Sequence, residues 1–255
     1  MVIMFEPYID TQRVWGKDLQ FHIATPRSEG WYSYAWWLKH SNGDEALARR
    51  RMDEWNPNLM GMIHEGDVVL DVGCNEGWTT VLFAQRVGPT GLVIAIDGSD
   101  YCVAQCQRNV AINRLTNVKV LHRVVSDKSG ESLTFKTADE RVMTSNDGVP
   151  VPTIALDDLA GFNPTVMKID IEGYELPAFR GARKLLDRGI RMEVDLHLNE
   201  DPSAVHMTRL FGFDPADILQ ILDEHGYSIS RGDRPFDRTG PIVGGCVWCT
   251  KDGSR

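Results

Sequence analysis

Val69-Leu-Asp71-Val-Gly73-Cys-Asn75-Glu-Gly77-Trp-Thr79 is the stretch that decides the fold. The apolar run Val68 to Leu70 enters it, and the helical pattern of Trp78 to Val87 leaves it. A strand feeding a glycine-rich turn and then a helix opens a ligand-binding α/β unit. In dinucleotide folds that turn reads Gly-x-Gly-x-x-Gly, so that a pyrophosphate can sit on the helix N-terminus. Here Asp71 takes the first glycine position. A carboxylate there repels a pyrophosphate and suits a cationic ligand, such as the amino group of a methionine moiety. Gly73 and Gly77 let the backbone approach a ligand without a Cβ clash. Glycines alone would fit a plain tight turn. Asp-x-Gly-x-x-x-Gly at a strand-to-helix junction favours a bound ligand.

Working outward, short apolar runs alternate with helical stretches from residue 67 to about 251. Leu92 to Ile96 leads to a helix over Tyr101 to Arg114, and Val118 to Leu121 leads to Val124-Val125. Val166 to Ile169 leads to Tyr174 to Arg188, and Ile190 to Leu198 precedes a helix over Pro215 to His225. Tyr227 to Ser230 and Ile242 to Thr250 close the chain as strands. Such alternation means crossover units and a parallel sheet covered on both faces. Glu131 to Phe135 reads as an extra short strand, Thr137 to Pro152 as a surface loop, and Arg231 to Gly240 as a hairpin connection. The second strand ends in Asp97, 20 residues beyond Gly77, where a carboxylate can hold a ribose diol. Ser99 or Asp100 can cap the next helix, which leaves Asp97 for that role.

Two strands break the rule that central parallel strands are apolar on both faces. Lys168, Asp170 and Glu172 alternate with Met167, Ile169 and Ile171; Glu193, Asp195 and His197 alternate with Met192, Val194 and Leu196. With period two, each strand puts its charges on one face. Buried charges must pair, and Lys168 with Glu193 or Asp195 is the natural couple. Ligands bind at the C-terminal strand ends, which carry Asp170, Glu172 and His197. This set is either a structural ion-pair network or a catalytic cluster in which His197 or Asp170 serves as general base. A divalent ion such as Mg²⁺ is compatible with it but not predicted, and the spacing is not that of a zinc site.

These residues carry a family resemblance. The chain resembles the FkbM-type family of class I S-adenosylmethionine-dependent methyltransferases. The matching segments are Asp71 to Gly77, Val125-Ser-Asp-Lys-Ser-Gly130, Ile154-Ala-Leu-Asp-Asp-Leu159, Lys168-Ile-Asp-Ile-Glu-Gly-Tyr-Glu175 and Glu193-Val-Asp-Leu-His197. They run in order over about residues 67 to 200. Two departures stand out: Asp97-Gly98 where the family often has Glu-Pro, and Cys74 where Ala is common. The resemblance implies a Rossmann-like α/β fold with a seven-stranded sheet, order 3-2-1-4-5-7-6, mostly parallel with the last strand antiparallel. It implies S-adenosylmethionine as cofactor, held by Asp71, Gly73, Asn75, Gly77, Asp97, Ser99, Ser126, Asp127 and Asp170. Asp170, Glu172 and His197 are the catalytic candidates. The expected reaction is O-methylation of a hydroxyl on a sugar or secondary metabolite. An N-methyltransferase is disfavoured by Asp170-Ile-Glu-Gly after strand four, and an NAD-dependent oxidoreductase by Asp71. A non-catalytic cofactor-binding protein stays open.

Composition bounds the remainder. At 255 residues the chain is one large domain or two small ones. A net charge of −9 argues against a nucleic-acid backbone as main partner, since phosphate binding needs a basic surface. Arg49-Arg50-Arg51 is the one tight basic cluster and suits a solvated helix face. No apolar run approaches the roughly 18 residues needed to span a bilayer. The N-terminus shows no signal-peptide pattern, and five cysteines fit reduced thiols, so a cytoplasmic protein is expected. Cys246 and Cys249 face opposite sides of a strand, which suits neither zinc nor a redox pair. The oligomeric state is not legible, and a homodimer is compatible. Ten aromatic residues, five of the seven tryptophans among them, lie in the first 60 positions. Residues 1–60 therefore read as a cap on a domain over 61–255. Its aromatics either pack on the sheet edge or, through Tyr32, Tyr34, Trp36 or Trp37, wall a small-molecule acceptor pocket. Within it, Asp44 to Met52 reads as a helix capped by Ser41 or Asp44.

Overall fold

A computed structural model describes residues 5–138, 141–144, 148–197, 211–237 and 245–251. The front of the chain is a hairpin, β1 (Tyr8–Val14) and β2 (Lys17–Ile23), followed by α1 (Pro26–Tyr32), α2 (Tyr34–His40), α3 (Glu45–Asp53) and α4 (Pro57–Met62). The hairpin turn is Trp15-Gly16, with φ of +49° and +74°. Positive φ at both central residues matches the right-handed twist of the strands it joins. Asp44 caps α3, accepting from the Leu47 N–H at 3.0 Å. Arg49, Arg50 and Arg51 lie exposed on that helix.

The sheet domain follows with β3 (Val68–Val72), α5 (Trp78–Val87), β4 (Leu92–Asp97), α6 (Asp100–Ile112), β5 (Val118–His122) and β6 (Val124–Val125). Next come β7 (Ser132–Ala138), β8 (Arg141–Thr144), β9 (Val149–Ile154), β10 (Val166–Ile169), α7 (Glu175–Arg180), α8 (Arg183–Asp187) and β11 (Arg191–Leu196). The chain ends in α9 (Pro215–Glu224), β12 (Ser228–Arg231), β13 (Arg234–Pro235) and β14 (Gly245–Thr250).

The main sheet has the order β5-β4-β3-β10-β11-β14-β12-β13. Without the two-residue β13, this is the expected order 3-2-1-4-5-7-6. The five strands from β5 to β11 pair in parallel. β14 runs antiparallel to both its neighbours, β11 and β12, and β13 pairs antiparallel with β12 at the edge. The order reverses at β3 and β10, and a ligand crevice opens at such a switch point.

Three expectations change. The sheet has eight strands among the described residues, since β13 extends its edge. The stretch from Thr137 to Pro152 contributes β8 and β9, and these join β6 and β7 in a second four-stranded sheet. Its polar composition concealed it, because strands in a small, one-sided sheet need few apolar residues. The aromatic front packs chiefly on α5, with Trp15 and Trp55 also against a cluster that includes Val69, Val93 and Val166 of the central strands, and not on the sheet edge. Val14, Leu19, Phe21, Ile23 and Met52 form one core with Trp78, Val81 and Leu82 of α5. Among the described residues, no helix is long and apolar enough to cross a membrane.

Candidate active site

A cavity of about 680 Å³ lies at the C-terminal ends of β3, β4, β10 and β11, beneath α1 and α2. That size falls within the range of small-molecule sites, about 300–1,000 Å³. Gly73, Asn75, Asp97, Asp170, Glu172 and His197 all line it, so six sequence-predicted residues are brought together. Asp71, Gly77, Ser99, Ser126 and Asp127 do not line it.

Each of those five has a physical reason. Asp71 is fully buried beneath the turn, where its Oδ2 accepts from the hydroxyls of Thr79 (2.9 Å) and Thr80 (2.6 Å). It anchors the first turn of α5 from below, while its Oδ1 has no hydrogen-bond partner among the described residues. Burial pushes its carboxyl above the usual range, although Lys168 and the two hydroxyls oppose the shift. Gly77 has φ +85°, and a Cβ there would meet Cys106 Sγ at 2.6 Å. It serves the packing of α5 on α6. Ser99 caps α6, accepting from the Cys102 N–H at 3.3 Å. The buried Ser126 hydroxyl donates to the exposed Asp127 at 3.2 Å. Gly73 does line the cavity, yet its φ of +80° and a Cβ position 1.9 Å from the Asp170 carbonyl oxygen show what demands glycine. The neighbouring strand end comes too close for any side chain.

Asp97 ends β4 and faces the cavity. Its Oδ2 accepts from the Asn75 N–H at 2.9 Å and its Oδ1 from the Ser99 N–H at 2.8 Å. Each oxygen keeps a lone pair for a further donor, so two vicinal hydroxyls can be met at once. Burial raises the Asp97 carboxyl pKa against these N–H bonds. Ile96, Val124 and Val125 add an apolar strip beside it. The donor set therefore fits a ribose with a flat base.

The charged stripe converges at the other end. Lys168 lies in register with Asp71 on one side and Glu193 on the other. Its Nζ nevertheless bonds Asp170 Oδ2, at 2.9 Å, and not Glu193 or Asp195. Residues i and i+2 of a strand share a face, so the nearest partner is on Lys168's own chain segment. Glu193 is instead held by Asn56, whose Nδ2 donates to Oε2 at 2.6 Å. Burial pushes the Glu193 carboxyl up to about 7. Burial also works against the charge on Asp170, but Lys168 and His197 overcome it and hold its pKa below the usual range.

His197 is enclosed by carboxylates. Its Nδ1–H donates to Glu175 Oε1 at 2.9 Å, and its Nε2 lies 3.4 Å from Asp170 Oδ1 and 3.6 Å from Glu172 Oε2. Glu175 has no exposure, and its Oε1 also accepts from the Gly173 N–H at 3.0 Å. Burial opposes a charge on the ring, yet the bond to Glu175 and the charges of Glu175, Asp170 and Glu172 raise the pKa to about 9. Glu172 takes φ +55°, a conformation a non-glycine residue holds only when its surroundings demand it. Asp170, Glu172 and His197 place one ligand atom each within 4.8 Å of one another, a set able to hold a divalent cation.

The cap supplies the remaining wall with Arg27, Trp31, Tyr32, Trp36, Trp37 and Trp55. Arg123, Tyr174 and Phe211 complete the lining. Arg27, Arg123, Tyr174 and Phe211 were not legible as site residues, because no motif contains them in a recognised role. Cys102 lines the cavity as well, while Cys246 and Cys249 alternate across β14 as expected, with Cys249 in the core.

A family model described as Methyltransferase FkbM domain matches residues 71–229. Among curated proteins, an arsenite methyltransferase of Halobacterium salinarum is 35% identical over 79 residues, 29% of this chain and 20% of that protein. A demethylmenaquinone methyltransferase of Geobacillus stearothermophilus is 30% identical over 81 residues, 31% of this chain and 35% of that protein. The match thus spans about a third or less of either relative's length. Among solved structures, methyltransferase FkbM from Methylobacillus flagellatus aligns with a TM-score of 0.48 and 16% identity. That alignment covers 80% of this chain and 53% of the other.

Proposed function

Because the chain belongs to the FkbM methyltransferase-domain family, we propose that it is an S-adenosylmethionine-dependent O-methyltransferase acting on a hydroxyl of a sugar or secondary metabolite. One observation carries this reading: Asp97 and the Asp170–His197 cluster open onto one cavity roofed by aromatic side chains. When bound, S-adenosylmethionine supplies an electrophilic methyl group for in-line attack by an acceptor oxygen.

Asp97 would accept from the ribose hydroxyls, and Ile96, Val124 and Val125 would flank the base. With Asp71 sealed below the turn, Asp170 is the carboxylate left to meet the amino group and the reacting end. The base role also falls to Asp170. His197, with its pKa near 9, stays protonated at neutral pH and cannot take a proton. Its charge instead fixes Asp170 and Glu172 in place. A carboxylate whose pKa is held low is a modest base, so positioning accounts for most of the rate. The cap, residues 1–60, would select the acceptor with its indole and phenol faces.

Calorimetric titration with S-adenosylhomocysteine and with NADH tests the cofactor. Binding of NADH alone would end this reading. A cell extract supplied with labelled S-adenosylmethionine tests the transfer. Cofactor binding with no labelled acceptor would leave a non-catalytic binding protein.

A further inference from the structure

The aromatic roof is bonded to the turn that opens α5, on both sides of Gly77. On one side Glu76, almost fully buried, accepts from the Ser28 hydroxyl through both carboxylate oxygens, at 2.9 and 2.6 Å. Its carbonyl accepts from Asn109 Nδ2 at 2.8 Å, which ties the same residue to α6. Ser28 belongs to α1, the helix that ends in Trp31 and Tyr32.

On the other side Trp78 Nε1 donates to Gln12 Oε1 at 3.1 Å. Gln12 is fully buried in β1. Its Nε2 donates to the Tyr32 carbonyl and, at 2.8 Å, to Asp10 Oδ2. Asp10 Oδ2 in turn accepts from the Tyr34 N–H at 2.6 Å, at the start of α2. An indole N–H only donates and a carbonyl only accepts, so one orientation of the Gln12 amide satisfies both ends. A single side chain therefore links the first residue of α5 to the junction of α1 and α2.

Asn75, Trp78 and Thr79 line the cavity from the turn, and Trp31, Tyr32, Trp36 and Trp37 line it from the cap. Glu76 and Gln12 line it from neither side; they join the two walls from behind. We propose that Glu76 and Gln12 are positioning residues that couple the donor half of the cavity to the acceptor wall, so that a ligand held on the turn orders α1 and α2. The proposal rests on the methyltransferase reading. Any such coupling is reciprocal: an acceptor that settles the cap raises donor affinity by the same factor.

Amide hydrogen exchange on the full chain, with and without saturating S-adenosylhomocysteine, tests it. Residues 26–40 should exchange about fivefold or more slowly when the ligand is bound, the low end of typical coupling. In Ser28→Ala and in Gln12→Leu the ligand Kd should stay within about threefold, while slowing over 26–40 drops below about twofold. Ser28→Ala is the milder change and decides the matter if Gln12→Leu does not fold. A merely structural role would speed exchange equally with and without ligand and keep the ratio, which overturns the proposal. Ligand binding to the wild type with no slowing over 26–40 also overturns it, and leaves the methyltransferase reading standing. No ligand binding at all removes both.

Discussion

The two ends of the cavity are built from different materials. The donor end is a single turn, residues 73–79, closed on the end of β4 by the Gly73 and Cys74 N–H bonds to the Ile96 carbonyl and the Asn75 N–H bond to Asp97. The acceptor end is assembled from side chains far apart in the chain: indoles at 31, 36, 37 and 55, and charges at 168, 170, 172, 195 and 197. Backbone fixes the first, and side-chain packing and pairing fix the second. A site made of backbone tolerates little change. A site made of side chains can change its occupant without changing the fold.

The largest expected effect breaks the donor end outright. A methyl group on Gly73 would lie 1.9 Å from the Asp170 carbonyl oxygen, on a residue whose φ of +80° already disfavours a side chain. Gly73→Ala should destabilise the protein by about 4 kcal/mol or more, or prevent folding. Gly98→Ala, whose nearest neighbour is a Val124 methyl at 3.2 Å, should cost within about 1 kcal/mol. Urea denaturation of both variants measures the difference. Equal stability would show that the turn is not fixed by backbone sterics.

Asp97→Ala comes next and leaves the fold in place. It removes the carboxylate proposed to meet the ribose, which also organises Asn75 and Ser99. Two hydrogen bonds to a charged group, at about 1.5 kcal/mol each, correspond to a weakening of S-adenosylhomocysteine binding of about 100-fold. Asp127→Ala, exposed and outside the cavity, should leave Kd within about twofold. Calorimetry on the pair distinguishes the residue that the sheet places in the cavity from the one that resemblance alone suggested.

This difference in materials also explains what the sequence disclosed. The turn and the position of Asp97 at a strand end were legible because their signals are local: a strand, a glycine pair, and an acid 20 residues on; the strand order came from the family resemblance. Asp71 was legible as special but not in its task, since spacing does not tell which way a carboxylate points. The partner of Lys168 was misjudged for the same reason. Register placed Glu193 opposite it, but Asn56, 137 residues away in sequence, takes Glu193. The front hairpin had a usable signal in the alternation of Lys17 to Ile23 after Trp15-Gly16. Arg27 and Phe211 reach the cavity by tertiary placement alone.

The acceptor end should show pH dependence in two windows set by its own groups. The His197 pKa rises from 6.5 to about 9 on folding, so its contribution is fully present below pH 6.5 and is lost as pH rises through 9. The shift corresponds to at most about 3 kcal/mol. Glu193, raised to about 7, loses its contribution earlier, between pH 4.5 and 7. His197→Gln should therefore flatten the decline in stability between pH 6.5 and 9. Denaturation midpoints across both windows check this. The same slope in variant and wild type would mean that the imidazole is not held charged by its three carboxylates.

The smallest effect on stability should accompany a clear effect on transfer. Trp31 is 63% exposed although it lines the cavity, whereas Trp78 is 6% exposed and packs against Phe21, Trp37 and Trp55. A buried indole serves the core, and Trp78→Ala should cost about 3–5 kcal/mol. An indole left mostly in water contributes little to folding, so Trp31→Ala should change stability by no more than about 0.5 kcal/mol. It belongs to the cap and not to the turn or to β4, so S-adenosylhomocysteine should bind as before. If Trp31 stacks on the acceptor, its loss removes about 1.4 kcal/mol of contact, and labelled-methyl transfer in a cell extract at limiting acceptor should fall about tenfold. A variant with unchanged stability, unchanged donor affinity and unchanged transfer would confine the acceptor to the charged strand ends and leave the aromatic roof a packing element.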